Sequence, residues 1–227
     1  MSARPRFVTV AGLGAVVLGA AALLWLLPAL LGLAGGTVPE VATVLASAGR
    51  PPVPLQIRGS PTPLVGQALH FQRVTVAEEG RDRARAVSTL DFEGTLGATR
   101  VSSLGRETTH FVHGATGWEV EGSLAPTLAA AVAALAARRR ALETGDVSAL
   151  AGMLVREDRE RALADPALRA VLAHPERNGP LQAWYMRSET GEMTVTEEEG
   201  QPPRLHRLRL VPRGGEALEF VFAGSLL

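Results

Sequence analysis

The chain has 227 residues, of which 46% are hydrophobic and 20% charged, and its 23 basic residues balance 23 acidic ones. A neutral chain lacks the basic surface that drives nucleic-acid binding, so we expect no nucleic-acid partner. The absence of cysteine excludes disulfides, thiolate catalysis and cysteine-based zinc sites.

The first predicted element is an apolar segment at residues 7–34, which carries no charged side chain. About 20 apolar residues are enough for a helix that spans a membrane. Arg4 and Arg6 precede the segment, and no basic residue follows it closely, so residues 1–6 are predicted to be a cytoplasmic tail. The pattern predicts a single-pass signal anchor in the lipid bilayer, with the C-terminal domain extracytoplasmic. Signal cleavage after Gly32-Leu33-Ala34 and a buried core helix are the alternatives.

Residues 35–66 are predicted to form a proline-rich stalk. A short helix is favoured over Val38–Ala48, because Pro39 suits a first helical turn. The proline clusters at 51–54 and 61–63 exclude helix there and favour a stiff, extended spacer.

From Gln67 the hydrophobic pattern has a period of two. Ala84, Ala86 and Phe92 fall on one face of a strand, and charged residues fall on the other. Glycine-containing connections separate this strand from its neighbours, so residues 67–123 are predicted to form a β-meander. Its four strands are expected near 69–76, 83–93, 99–112 (interrupted by Gly105) and 117–122.

The period then becomes helical, and residues 124–227 are predicted to form an α+β unit. A long helix should begin near Pro126 and end at Gly145. Its apolar stripe consists of Leu128, Val132, Leu135 and Leu142. Short helices are expected after Asp146 and Asp165, and strands near 181–189, 192–198, 205–212 and 216–224.

The segment Arg138–Leu150, with its Ala-Leu-Glu-Thr-Gly-Asp core, resembles the opening helix pair of the NTF2-like (SnoaL-like) superfamily. The resemblance covers about residues 124–227. Gly117–Glu121 also resembles a closing strand of that fold, so residues 38–122 are interpreted as a truncated first copy. The resemblance implies a curved antiparallel sheet wrapped around helices, forming a cone with a pocket. The polar pocket residues of the enzyme members have no recognisable counterpart here, so the family's catalytic activity does not carry over.

Charged and histidine clusters give no predicted catalytic, cofactor or metal site. Two histidines three residues apart on a strand point to opposite faces, and the chain has no HExxH motif. Arg138-Arg139-Arg140 is predicted to stabilise a helix end, and Glu197-Glu198-Glu199 to form a solvated hairpin tip. The histidines are His70, His110, His113, His174 and His206.

Three aromatic residues are the candidate ligand-binding residues. Tyr185 is the only tyrosine, and in an NTF2-like pocket its hydroxyl could donate to a ligand oxygen. Trp184 and Trp118 are the other two candidates.

These patterns predict a membrane-anchored extracytoplasmic binding or assembly module with an envelope protein partner and no evident catalytic site. The alternative is an NTF2-like small-ligand carrier or enzyme with an apolar pocket. An envelope protein with a purely structural role is a third interpretation.

Overall fold

A computed structural model describes residues 37–189, 191–213 and 218–227, and residues Glu40–Leu227 form one compact unit. The membrane anchor predicted at residues 7–34 lies outside the described residues. Within the part that is described, no helix is long and apolar enough to cross a membrane.

The unit contains two groups of strands with a helical block between them. The described helices are α1 (Thr37–Ala48), α2 (Pro126–Thr144), α3 (Val147–Gly152), α4 (Arg159–Leu163) and α5 (Pro166–Ala173), followed by a 3₁₀ turn at Pro175–Arg177. The described strands are β1 (Val53–Leu55), β2 (Leu64–Glu78), β3 (Arg83–Leu96), β4 (Thr99–Gly114), β5 (Gly117–Glu121), β6 (Leu181–Glu189), β7 (Glu192–Glu199), β8 (Arg204–Arg213) and β9 (Glu219–Ala223).

All of these strands belong to one mixed sheet, in the order β1-β2-β3-β4-β6-β7-β8-β9. Strand β4 joins the two groups. Along one edge, residues 100–104 pair in parallel with β6, and residues 110–114 pair with β5 in an antiparallel hairpin. The predicted α+β class is confirmed, and the two strand groups that the sequence separates at residue 123 share a single sheet.

Alternation along β3 places one face of the sheet in the core. Ala84, Ala86, Leu90 and Phe92 are buried, as the period-two pattern predicts, while Arg83 is exposed. Burial of such side chains stabilises the fold by about 25 cal/mol for each Å² of apolar surface removed from water.

The interior of β4 includes Gly105, where the sequence predicted an interruption. The strand continues through this position without a break. A Cβ atom at Gly105 would lie 2.6 Å from the Cβ of Ser188 on β6. The glycine therefore permits the close approach of β6 at the end of the parallel pairing.

Helix α2 packs its predicted stripe against the sheet. Leu128, Val132, Leu135 and Leu142 are each at most 2% exposed. The helix ends at Gly145, whose φ of 67° is the left-handed conformation that glycine adopts without strain.

The predicted stalk at residues 35–66 is corrected for its described part. Val41 and Leu45 of α1 are buried, and so are Leu55 and Leu64, which lie on either side of the proline cluster at 61–63. Proline fixes the local φ angle and prevents a continuous helix, but it does not prevent neighbouring apolar residues from reaching a core. These residues therefore belong to the folded unit.

Candidate charged cavity

Two consecutive arginines near the end of α2 reach strand β7 through buried ion pairs. Arg138 is 1% exposed, and its Nη1 donates to both carboxylate oxygens of Glu197, at 3.1 and 3.0 Å. Its Nε donates to the carbonyl oxygen of Leu226 at 2.7 Å. Trp184 of β6 donates its indole N–H to the same Glu197 at 2.8 Å. One carboxylate thus connects a helix and two strands.

Arg139 makes the second buried pair. Its Nη1 donates to Glu199 at 2.6 Å, and its Nε donates to Glu143 at 2.9 Å. The other carboxylate oxygen of Glu199 lies 3.0 Å from Nη2 of Arg204 and 3.5 Å from Nε2 of His206. Glu199 is therefore shared by three basic side chains.

These contacts correct two predictions from the sequence. Arg138 and Arg139 do not simply complement the helix end, because they are buried against the sheet. Glu197 and Glu199 are not a solvated hairpin tip, since alternation along β7 turns both inward. Residues that attract each other here are about 60 positions apart in the chain, so local patterns did not indicate their pairing.

The ion pairs border a cavity of about 230 Å³ between α2, α5 and the strands β7 and β8. Four arginines and two glutamates line it, and Glu143, outside the lining, pairs with one of these arginines. The charges of this group sum to one positive charge when the histidines are neutral. The lining residues are Arg138, Arg139, Leu142, Ala170, Val171, His174, Arg177, Asn178, Glu197, Glu199, Arg204, His206 and Leu227.

Several donors around the cavity are unused within the described part of the chain. Exposed Arg177 has no ion pair with any described residue. Among the described residues, the buried Nδ2 of Asn178 has no hydrogen-bond partner, and the buried Nε2 of His206 makes no hydrogen bond, although Glu199 lies 3.5 Å from it. A buried donor without an acceptor is unfavourable, so the arrangement favours a ligand that supplies acceptor atoms.

The carboxylate of Glu197 is held in its charged form. Burial alone would raise the pKa of Glu197, but the charge of Arg138 and the hydrogen bonds from Trp184 and Arg138 outweigh it and lower the pKa. A carboxylate that is ionised and committed to an arginine is a poor proton acceptor for catalysis. The role of Glu197 is therefore to position Arg138, and the carboxylate is not suited to acid–base catalysis.

A third buried carboxylate lies at the other end of α2. Glu107 of β4 is 3% exposed and accepts hydrogen bonds from the backbone N–H groups of Thr127 and Leu128, at 2.9 and 2.7 Å. Burial raises its pKa to about 7, although these hydrogen bonds oppose the shift. The hydroxyl of Ser88, its cross-strand neighbour, is buried and has no hydrogen-bond partner among the described residues. Glu107 caps the helix outside the cavity.

The structure separates the three aromatic candidates. Trp184 is buried and hydrogen-bonded to Glu197, although it does not line the cavity. Tyr185 is 41% exposed on the opposite face of the sheet, where its hydroxyl donates to Glu198 at 3.0 Å. Trp118 packs edge-on against His113, with ring centroids 5.1 Å apart.

The distance of Trp118 from the cavity follows from the register of β4. Trp118 is paired with position 113 and Trp184 with position 101, so about 40 Å of strand separates them at roughly 3.3 Å per residue. Ligand binding by these aromatic residues stays a prediction.

Of the histidines, His174 and His206 line the cavity. Among the described residues, no group of three or more histidine, aspartate or glutamate side chains could hold a metal ion. Arg204 and His206 are two residues apart on β8, so their side chains lie on the same face of the strand. This spacing is the one sequence signal that places them together.

No family model, curated protein or solved structure matches this chain. The resemblance of residues 124–227 to the NTF2-like superfamily stays a prediction.

Proposed function

We propose that residues 40–227 are a binding module that holds a small anionic ligand in the charged cavity. The observation that carries this proposal is the surplus of positive charge, together with the donors of Arg177 and Asn178, which have no partner among the described residues. Arginine is well suited to bind carboxylate and phosphate groups, because its planar fork presents several donors at once.

We further propose that residues 7–34 anchor this module in a membrane, with the module on the outer side. The support is the uncharged length of the segment and the two arginines that precede it. A reporter enzyme fused after Leu227 is expected to be active only outside the cytoplasm. Activity of that reporter in the cytoplasm would contradict the topology, and a mature N-terminus near Gly35 would contradict the uncleaved anchor.

Binding is tested by calorimetric titration of the full chain in mild detergent at constant ionic strength. The probes are acetate, butyrate, inorganic phosphate and sulfate. We expect at least one to bind saturably with a Kd of about 1 mM or tighter, equivalent to about 4 kcal/mol. Absence of saturable binding for all four probes would overturn the proposal.

The matched pair of variants is Arg177→Gln and Arg207→Gln. Both arginines are exposed and without an ion pair among the described residues, but Arg177 lines the cavity, whereas Arg207 lies on the outer face of β8. Arg177→Gln is expected to weaken binding about tenfold, the effect of losing one hydrogen bond to a charged group. Arg207→Gln should leave binding unchanged, and an equal loss in both variants would place the anion elsewhere.

A further inference from the structure

The lining of the cavity has a polar and an apolar part. The polar part consists of the arginines, the glutamates, the two histidines and Asn178. The apolar part consists of Leu142 of α2, Ala170 and Val171 of α5, and Leu227. A ligand that contacts both parts has an anionic head and an apolar tail.

The volume of about 230 Å³ favours a small ligand. Pockets for cofactors and drug-sized ligands have volumes of about 300–1,000 Å³. A molecule with a few non-hydrogen atoms therefore fits inside the cavity.

Resting on the proposed function, we infer that the ligand is a short-chain aliphatic monocarboxylate. A monocarboxylate carries its two acceptor oxygens at one end of the molecule, where the donors of Arg177 and Asn178 are available, and an alkyl chain at the other. Phosphate and sulfate carry oxygens on all sides, so one or more of them would lose water against Leu142 and Val171 without gaining a donor. A short alkyl chain gains from that same contact.

The experiment titrates acetate, propionate, butyrate and hexanoate into the full chain and compares them with inorganic phosphate. Each added methylene should tighten binding about fourfold until the cavity is full, because burial of one methylene contributes about 0.8 kcal/mol. Hexanoate should bind no better than butyrate, and phosphate should bind more weakly than butyrate.

The variant Val171→Thr keeps the shape of the side chain and makes the apolar part of the lining more polar. It should flatten the dependence of binding affinity on chain length. Val147→Thr is the matched control, since Val147 is a 50% exposed valine on α3 that does not line the cavity, and it should behave as the wild type.

Two results separate the failure of this inference from failure of the proposed function. If phosphate binds as well as butyrate and chain length has no effect, the monocarboxylate assignment is wrong while anion binding stands. If none of the anions binds, both are wrong. A chain-length effect that persists unchanged in Val171→Thr would also contradict the inferred placement of the alkyl chain.

Discussion

The buried carboxylate of Glu107 makes stability depend on pH in a direction opposite to that of most salt-bridged acids. Its pKa is raised by burial from 4.5 to about 7 in the folded state. Between these values the folded chain holds a proton that the unfolded chain has released. Stability contributed by this group is therefore fully present below about pH 4.5 and is lost as the pH rises through about 7.

The size of the effect follows from the shift. A difference of about 2.5 pKa units, at 1.36 kcal/mol per unit, corresponds to about 3 kcal/mol between pH 4.5 and pH 8. This is a large fraction of the 5–15 kcal/mol that is typical of a folded domain. The side chain is 3% exposed, so solvent screening removes little of it.

The perturbation is Glu107→Gln, which keeps an oxygen that can accept from the N–H groups of Thr127 and Leu128 but does not titrate. Urea unfolding of the full chain, followed by circular dichroism, is measured for wild type and variant from pH 4.5 to 8. The free energy of unfolding of the variant, relative to wild type, should rise by about 3 kcal/mol across this range. Glu93→Gln, at an exposed carboxylate on β3, is the control and should run parallel to the wild type.

If the free energy of unfolding of Glu107→Gln also changes with pH in parallel with that of the wild type, Glu107 is not protonated in the folded state near neutral pH. A relative stability that falls with pH would show that the two backbone hydrogen bonds outweigh burial and that the pKa of Glu107 is lowered in the folded state.

Three further predictions concern packing and are measured by unfolding of the full chain. Arg138→Met leaves the Glu197 carboxylate buried without an ion-pair partner, so it should lower the free energy of unfolding by about 3–5 kcal/mol. Adding Glu197→Leu should recover most of that loss. Failure to recover it would argue against an unpaired charge as the cause. Trp118→Ala should cost about 3–5 kcal/mol and shift one thermal transition of the whole unit, because Trp118 belongs to the common core; two transitions, with only one of them moved, would mean two independent domains. Gly105→Ala should destabilise the β4–β6 contact by about 1–3 kcal/mol, and Ser188→Gly in the same chain should restore stability by removing the atom it meets; loss without rescue would refute the steric explanation.

Most secondary structure was predictable because it depends on short-range periodicity. The alternation in β3 and the stripe on α2 each needed only a window of about ten residues and the rule that apolar faces are buried. Helix ends were equally local, since Pro126, Gly145 and Asp165 act on the backbone beside them. The segment at residues 37–66 is interpreted from its sequence as a stalk, because its prolines indicate a stiff backbone. Prolines do not indicate which distant residues the leucines of the segment contact.

The cavity could not be predicted in the same way. Arg138 and Arg139 have the pattern of a helix end, and Glu197 and Glu199 have the pattern of a polar strand terminus. Either description is complete locally, and only the approach of α2 to β7 brings the charges within hydrogen-bond distance. Because an unpaired buried charge destabilises the folded state, each of these buried arginines needs a buried glutamate as its partner.

The sequence by itself determined the composition limits, the apolar segment at 7–34, the α+β class and the order of the elements, since each of these depends on residue type and near neighbours. Tertiary structure alone decided that β4 and β6 pair in parallel, that both strand groups share one sheet, and that four arginines and two glutamates surround one cavity. The physical reason is distance along the chain. Propensity and periodicity act over a few residues, whereas the pairing of Arg138 with Glu197 joins positions 59 residues apart and exists only after the chain has folded.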